Sequence, residues 1–145
     1  GLRCGFGLLD YLEAESYSCA DITDNFFNEA ISNSFLLATL FDKKKGVFYI
    51  IDKDDIPKRY YDLVISTYVV PHIPEIKLSE YFCNIEKYLN NEGIFYFDFM
   101  SSPICLKQNL TTFTYPYRLI AKKLNDSGFR ILNTYGSSIV AKKID

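Results

Sequence analysis

Three apolar segments of this chain end in residues able to hold a polar ligand. Tyr17–Ala20 ends at Asp21, Val47–Ile51 ends at Asp52, and Asp62–Ser66 ends in the hydroxyls of Ser66 and Thr67. A carboxylate at the end of a strand can accept hydrogen bonds from a vicinal diol or from an exocyclic amine, and parallel strands bring such ends to one edge of a sheet, where open α/β folds take their ligands. Tyr68 and His72 follow directly in Tyr61–Ile73, and His72 is the chain's only histidine. An imidazole with an ordinary pKa of about 6.5 is the natural candidate for a base. Its plainer reading is a loop histidine that packs or caps. Asp21 reads equally as a helix cap and Asp52 as part of a polar turn, so the coincidence of three strand ends carries more weight than any one residue.

These residues need a framework, and the pattern supplies one. Strand-like and helix-like segments alternate, as expected for an α/β fold with a mostly parallel sheet. Leu8–Ala14 reads as a short helix after the glycine turn Gly5-Phe6-Gly7. A helix from Asn25 to Phe41 would place Phe27, Ile31, Ser34, Ala38 and Phe41 on one face. Leu78, Phe82, Ile85 and Leu89 recur at helical spacing, with Asn90–Gly93 as the stop before a buried strand Ile94–Phe99. Ser101–Thr114 has no period and reads as a loop or lid. Pro116 opens a helix to about Asp126 closed by Gly128, and Phe129–Asn133 with Ser138–Ala141 forms a closing antiparallel hairpin.

Composition narrows the function classes. The 145 residues suit a single domain, 1–145, and 48% hydrophobic with 17% aromatic residues marks a chain that buries a core. A net charge of -2 gives no electrostatic case for nucleic acid or an anionic membrane, and Lys43-Lys44-Lys45 beside Asp42 reads as a solvated loop. Cys4, Cys19, Cys83 and Cys105 form no C-x-x-C pair. Four cysteines could make two disulfides in a secreted protein, but three of these sit in or beside apolar segments. That favours buried free thiols in a reducing compartment, so a cytoplasmic location is expected. No metal site is expected, and no apolar run is long enough to span a membrane.

In order along the chain, the segments resemble those of class I S-adenosylmethionine-dependent methyltransferases. Cys4-Gly5-Phe6-Gly7 resembles the family's first motif, C-G-x-G, and Asp21-Ile22-Thr23 resembles its ribose-binding D-[IVL]-[ST]. Asp52–Pro57 resembles D-x-x-x-[LI]-P, Tyr61–Ile73 resembles [FY]-D-L-V-x-x-x-x-V-x-x-H-[IL], and Leu89–Asp98 resembles L-x-x-x-G-x-F-x-F-D. The resemblance implies a Rossmann-like seven-stranded sheet with a reversed last strand, S-adenosylmethionine as cofactor, and methyl transfer by in-line displacement to a small-molecule acceptor. It places Cys4, Gly5, Gly7, Asp21, Ile22, Asp52, Lys53, Ser66 and Thr67 around the donor, with His72 and Tyr68 as catalytic candidates and Asp98 as a lesser one for the acceptor.

Two departures shape the alternative. Arg3 stands where the family's first-motif glycine lies and Gly1 where an acid is usual. The given sequence also starts inside that motif, so an N-terminally truncated fold is expected, with only Leu2 left of the first strand. The alternative is a noncatalytic methyltransferase-like binding or scaffold module whose sheet is completed by a protein partner or a second copy. A nicotinamide-dependent dehydrogenase would need a third glycine where Asp10 stands.

Overall fold

The computed structural model describes residues 15–43 and 45–144. The chain divides into two compact units, Gly1–Ile56 and Pro57–Asp145. The expected helix Leu8–Ala14 lies outside the described residues.

The first unit pairs β1 (Ser18–Asp21) with β2 (Val47–Ile50) in parallel, from Ser18 against Val47 to Asp21 against Ile50. Two helices connect them, α1 (Asn25–Asn33) and α2 (Phe35–Lys43). The single helix expected from Asn25 to Phe41 is therefore broken. Ser34 is extended, with φ -142° and ψ 103°, and its carbonyl accepts the Ala38 N–H at 3.1 Å, so it ends one helix and opens the next. Asn and Ser favour such caps over helix interiors. The core of this unit is aromatic. Phe27 stacks on Phe48 with ring centroids 4.5 Å apart and meets Phe41 edge-on at 5.1 Å, over the buried Cys19. Gly46 turns the chain against that core, since a Cβ there would lie 2.4 Å from the Phe41 ring.

The second unit is a four-stranded mixed sheet. It comprises β3 (Tyr61–Ser66), β4 (Leu89–Asp98), β7 (Phe129–Tyr135) and β8 (Ser138–Lys143), in the order β3-β4-β8-β7. Only β3 and β4 run parallel in it; β4–β8 and β8–β7 are antiparallel. The mostly parallel sheet expected from the pattern is thus a parallel pair in each unit, joined in the second by the reversed β8 that the closing hairpin demands.

Period explains the packing. Helix α3 (Glu75–Tyr88) buries Leu78 and Phe82, and α4 (Tyr117–Asp126) buries Ile120 and Leu124, each at a spacing of four. Strand β4 buries Phe95 and Phe97, with Phe99 just beyond it, and β8 buries Ile139 and Ala141, each at a spacing of two. Lys143 continues the buried face of β8, and its ammonium is held there by Glu86 Oε1 at 2.7 Å and by the carbonyls of Glu86 and Leu89 at 3.0 and 3.1 Å. A cation at the end of α3 faces the negative pole of that helix.

Two local expectations differ. Asn90–Gly93 does not separate helix from strand: β4 already begins at Leu89. The pairing jumps from Tyr61–Leu89 to Leu63–Ile94, and Glu92 has φ 64°, so the turn-forming residues are absorbed as a bulge. Ser101–Thr114 contains a small hairpin, β5 (Leu106–Lys107) with β6 (Phe113–Thr114). Gly128 closes α4 as expected, at φ 83°.

Candidate functional site

In the first unit, the candidate residues sit where β1 and β2 end together. Asp21 is half-buried, its carbonyl accepts the Ile51 N–H at 2.9 Å, and its Oδ1 accepts the Ile22 N–H at 2.7 Å. Oδ2 has no bond among the described residues. Asp24, not Asp21, occupies the N-cap of α1, and its Oδ2 accepts from Asn28 Nδ2 at 3.1 Å. Asp21 thus ends the strand without serving the helix. Ile22 is 76% exposed beside it.

Beyond β2 the chain turns on Asp54, whose Oδ2 accepts the Ile50 N–H at 2.5 Å. Asp52 and Lys53 are exposed on this turn, and Asp52 has a left-handed φ of 66°. The plain turn role therefore belongs to Asp54, leaving the Asp52 carboxylate facing solvent. Register places the two acids on one edge, because Asp21 pairs with Ile50 two residues before Asp52. Cys4, Gly5 and Gly7 lie outside the described residues.

In the second unit, a second polar edge forms where β3 and β4 end. Ser66 pairs with Phe97 and is buried, and its Oγ lies 2.6 Å from Tyr81 Oη. Burial pushes the Tyr81 phenol up to about 12, the Asp98 charge adds to the rise, and the Ser66 bond works against it. Thr67 is half-buried. Tyr68 has φ 58° and is 69% exposed, and its N–H donates to Asp98 Oδ1 at 2.7 Å. A left-handed backbone at a bulky residue is uncommon and needs such a fixed partner.

The chain then enters a 3-10 turn, Val70–His72, with Val70 and Pro71 buried and His72 exposed. His72 Nδ1 lies 2.7 Å from the carbonyl oxygen of Thr111. A carbonyl only accepts, so Nδ1 carries the proton, and in the neutral ring the lone pair is on Nε2. Tyr115 Oη donates to the carbonyl of Ile73, fastening the same turn to the 101–116 segment.

Sequence reading did not single out Tyr81, although it lies three residues after Leu78 and four before Ile85, on the core-facing side of α3. Thr111 carried no sequence signal, since a backbone carbonyl is present at every residue. Cys19 is the only buried cysteine among the described ones; Cys83 and Cys105 are exposed, contrary to the expectation of buried thiols. A cleft of about 210 Å³ is lined by Glu75, Cys105, Lys107 and Tyr115 among others, and none of the strand-end residues lines it. Among the described residues no three His, Cys, Asp or Glu side chains gather as a metal site, and no helix is long and apolar enough to cross a membrane.

No family model and no curated protein sequence matches the chain. Solved structures do match. The chain is 18% identical to magnesium protoporphyrin IX methyltransferase of Synechocystis PCC 6803, solved with bound S-adenosylhomocysteine, covering 97% of this chain and 71% of that one with a TM-score of 0.72. It is 12% identical to 1,6-didemethyltoxoflavin-N1-methyltransferase of Burkholderia thailandensis, solved with 1,6-didemethyltoxoflavin and S-adenosylhomocysteine, covering 99% and 78% with a TM-score of 0.66. With a Bordetella parapertussis protein the identity is 13% and the TM-score 0.68, and the chain, 99% covered, spans 60% of that protein's length. At such identities the likeness is one of architecture, and the parallel pairs, the reversed β8 and the closing hairpin agree with it: the fold is that of the class I S-adenosylmethionine-dependent methyltransferases.

Proposed function

We propose that this chain, as one methyltransferase-like domain over residues 1–145, transfers a methyl group from S-adenosylmethionine to a small-molecule acceptor. The observation that carries the reading is Asp21. On a methyltransferase fold, it closes β1 with one carboxylate oxygen tied to its own turn and the other without a bond among the described residues. A half-buried carboxylate with an oxygen unbonded among the described residues, beside strand-end backbone, suits a ribose diol, so the donor fits these residues.

When bound, S-adenosylmethionine supplies a methyl carbon made electrophilic by a positively charged sulfur. Asp21 Oδ2 would accept from the ribose hydroxyls and Asp52 from the adenine amine, with Ile22 and Lys53 beside the two acids. The family resemblance assigns Cys4, Gly5 and Gly7 to the amino-acid end of the donor. It assigns Ser66 and Thr67 to the methyl end, and Ser66 is held in place by Tyr81. Tyr68 contacts the acceptor, and His72 takes its proton at Nε2 while Nδ1 stays bound to Thr111. The residues contribute chiefly by positioning, which can supply several kcal/mol of a barrier. A net charge of -2 disfavours nucleic acid as acceptor, and the free thiols of Cys19, Cys83 and Cys105 support a cytoplasmic setting.

Calorimetric titration with S-adenosylmethionine and S-adenosylhomocysteine tests the reading. Both bind the wild-type chain, and Asp21→Ala weakens both by about 10- to 100-fold, the loss expected for charge-assisted hydrogen bonds. A folded wild-type protein that binds neither overturns it.

The second reading, a noncatalytic binding module, is favoured by the place of β3 at the margin of the four-stranded sheet among the described residues, with Leu63 exposed there. Light scattering tests it. A stable complex with a second chain or copy, without donor binding, would favour this reading over methyl transfer.

A further inference from the structure

The cleft of about 210 Å³ in the second unit contains none of the strand-end residues. It lies between the first turn of α3, which contributes Glu75, and the β5–β6 hairpin with Tyr115 just beyond it. Its base is aromatic. Tyr115 is buried and is fixed by its bond to the Ile73 carbonyl. Phe113 lies nearly parallel to it, with ring centroids 6.5 Å apart, and Leu106 adds an aliphatic side chain that is otherwise exposed.

Two opposite charges share the rim of this cleft. Lys107 pairs with Phe113 across the hairpin, which puts both side chains on one face, and Glu75 stands on the opposing helix. Both are exposed, and neither forms an ion pair among the described residues, with the other or with any further side chain. The neighbouring cation Lys123 is engaged by Ser79 Oγ at 3.3 Å. The Glu75 charge is felt inside the cleft. Burial comes first in raising the Cys105 thiol, and the Glu75 hydrogen bond and charge add to it. The Tyr115 phenol is pushed up to about 12, by burial first and then by Cys105 and Glu75. A ligand that satisfies both rim charges must carry both signs itself, and the base asks for an apolar body between them. A cavity of about 150 Å³ takes a benzene ring, so this one has room for a ring with a short polar arm.

We propose that this cleft is a binding site for a small aromatic aminocarboxylate. The ligand's ammonium meets Glu75, its carboxylate meets Lys107, and its ring lies against Phe113 and Tyr115. Each rim charge then gains a partner that the chain does not supply. The site lies wholly within the second unit, and the inference does not depend on the methyl-transfer reading.

The probes are L-phenylalanine, 3-phenylpropionate, which lacks the amine, and phenethylamine, which lacks the carboxylate. Binding to the whole chain is measured by calorimetric titration. It is located by alkylation and peptide mapping, because Cys105 lines the cleft and exposed Cys83 does not. L-phenylalanine is expected to slow the labelling of Cys105 and to leave Cys83 unchanged. It should bind about 3- to 10-fold more tightly than either analogue, the range of one partly screened charge-assisted contact. Glu75→Gln should bring L-phenylalanine down to the affinity of 3-phenylpropionate, and Lys107→Gln down to that of phenethylamine. Both side chains are exposed, so neither change disturbs the core. Labelling is compared with and without ligand in each variant, since Glu75 also acts on the Cys105 thiol. Failure of all three probes to protect Cys105 at about 10 mM overturns the proposal. Equal affinity for the three, or losses in the variants that do not follow the missing charge, overturns it as well. Donor titration is a separate measurement, so either reading can fail without the other.

Discussion

The two units hold their polar edges in different ways. In Pro57–Asp145 the edge residues are tied to distant side chains, Ser66 to Tyr81 and Tyr68 to Asp98, and those partners stand on α3 and β4. Beneath them lies a contiguous core that includes Phe82, Phe95, Phe97 and Phe129, all fully buried. In Gly1–Ile56 the acids are held by their own neighbours, Asp21 by Ile22 and the Asp52 turn by Asp54. The core described there is the small cluster around Cys19 and Phe41. One edge therefore depends on tertiary packing. The other depends on local turn chemistry, which survives as long as β1 and β2 stay paired.

The largest test of this contrast is Phe82→Ala. Phe82 is fully buried and packs its ring 6.3 Å from Phe95 and 5.5 Å from Phe97, so its loss should cost about 3–5 kcal/mol in chemical denaturation. It should also loosen the Tyr81–Ser66 bond from the next residue on α3. A cost below about 1 kcal/mol would mean that the second unit is not organised around this core.

A smaller effect is expected in the first unit. Gly46→Ala would place a Cβ 2.4 Å from the Phe41 ring, and the clash is with the base of the ring, which must shift as a body. A destabilisation of about 1–3 kcal/mol is expected from such overpacking. Near-UV circular dichroism should change through the aromatic cluster, and an unchanged spectrum and midpoint would show that the cluster tolerates the shift.

The smallest effect is read through the cysteines. Burial pushes the Cys19 thiol up to about 11, and for exposed Cys105 burial comes first, with the Glu75 hydrogen bond and charge adding to a rise. The thiolate is the reactive form, so alkylation followed by peptide mapping should label exposed Cys83 first, Cys105 next and Cys19 last. The same shift makes a pH statement. An unfolded Cys19 ionises near its ordinary value of 9.0 and the folded one near about 11, so the stability it contributes is intact below the first value and falls as pH rises toward the second. Cys19→Ala should remove that part of the alkaline decline. Labelling of Cys19 as fast as Cys83 would show that the first unit opens far more readily than its packing implies.

Much of the fold was legible because it is periodic. Leu78, Phe82 and Ile85 mark α3, and Phe95, Phe97 and Phe99 mark the buried face of β4, since each repeat matches the geometry of its element. Pro116 and Gly128 bracket α4 as local conformational preference requires. The misreadings share a cause. Ser34 and Asn90–Gly93 have clear turn chemistry, yet the same chemistry serves a chain end, a helix break or a bulge. Which one forms depends on what packs across from it. The 101–114 segment lacks a period because its two-residue strands are too short to have one.

The candidate site divides in the same way. Sequence alone determined the residue types at the strand ends: acids at 21 and 52, hydroxyls at 66 and 67, and an imidazole at 72. Strand ends are local, and a polar residue that closes an apolar run stands out in any single chain. Only the tertiary structure decided their partners: Asp98 for Tyr68 across 30 residues, Tyr81 for Ser66 across 15, and the Thr111 carbonyl for His72 across 39. A hydrogen bond needs its atoms within about 3 Å. Across such separations that distance follows from strand order and register, which the core enforces and no local pattern encodes.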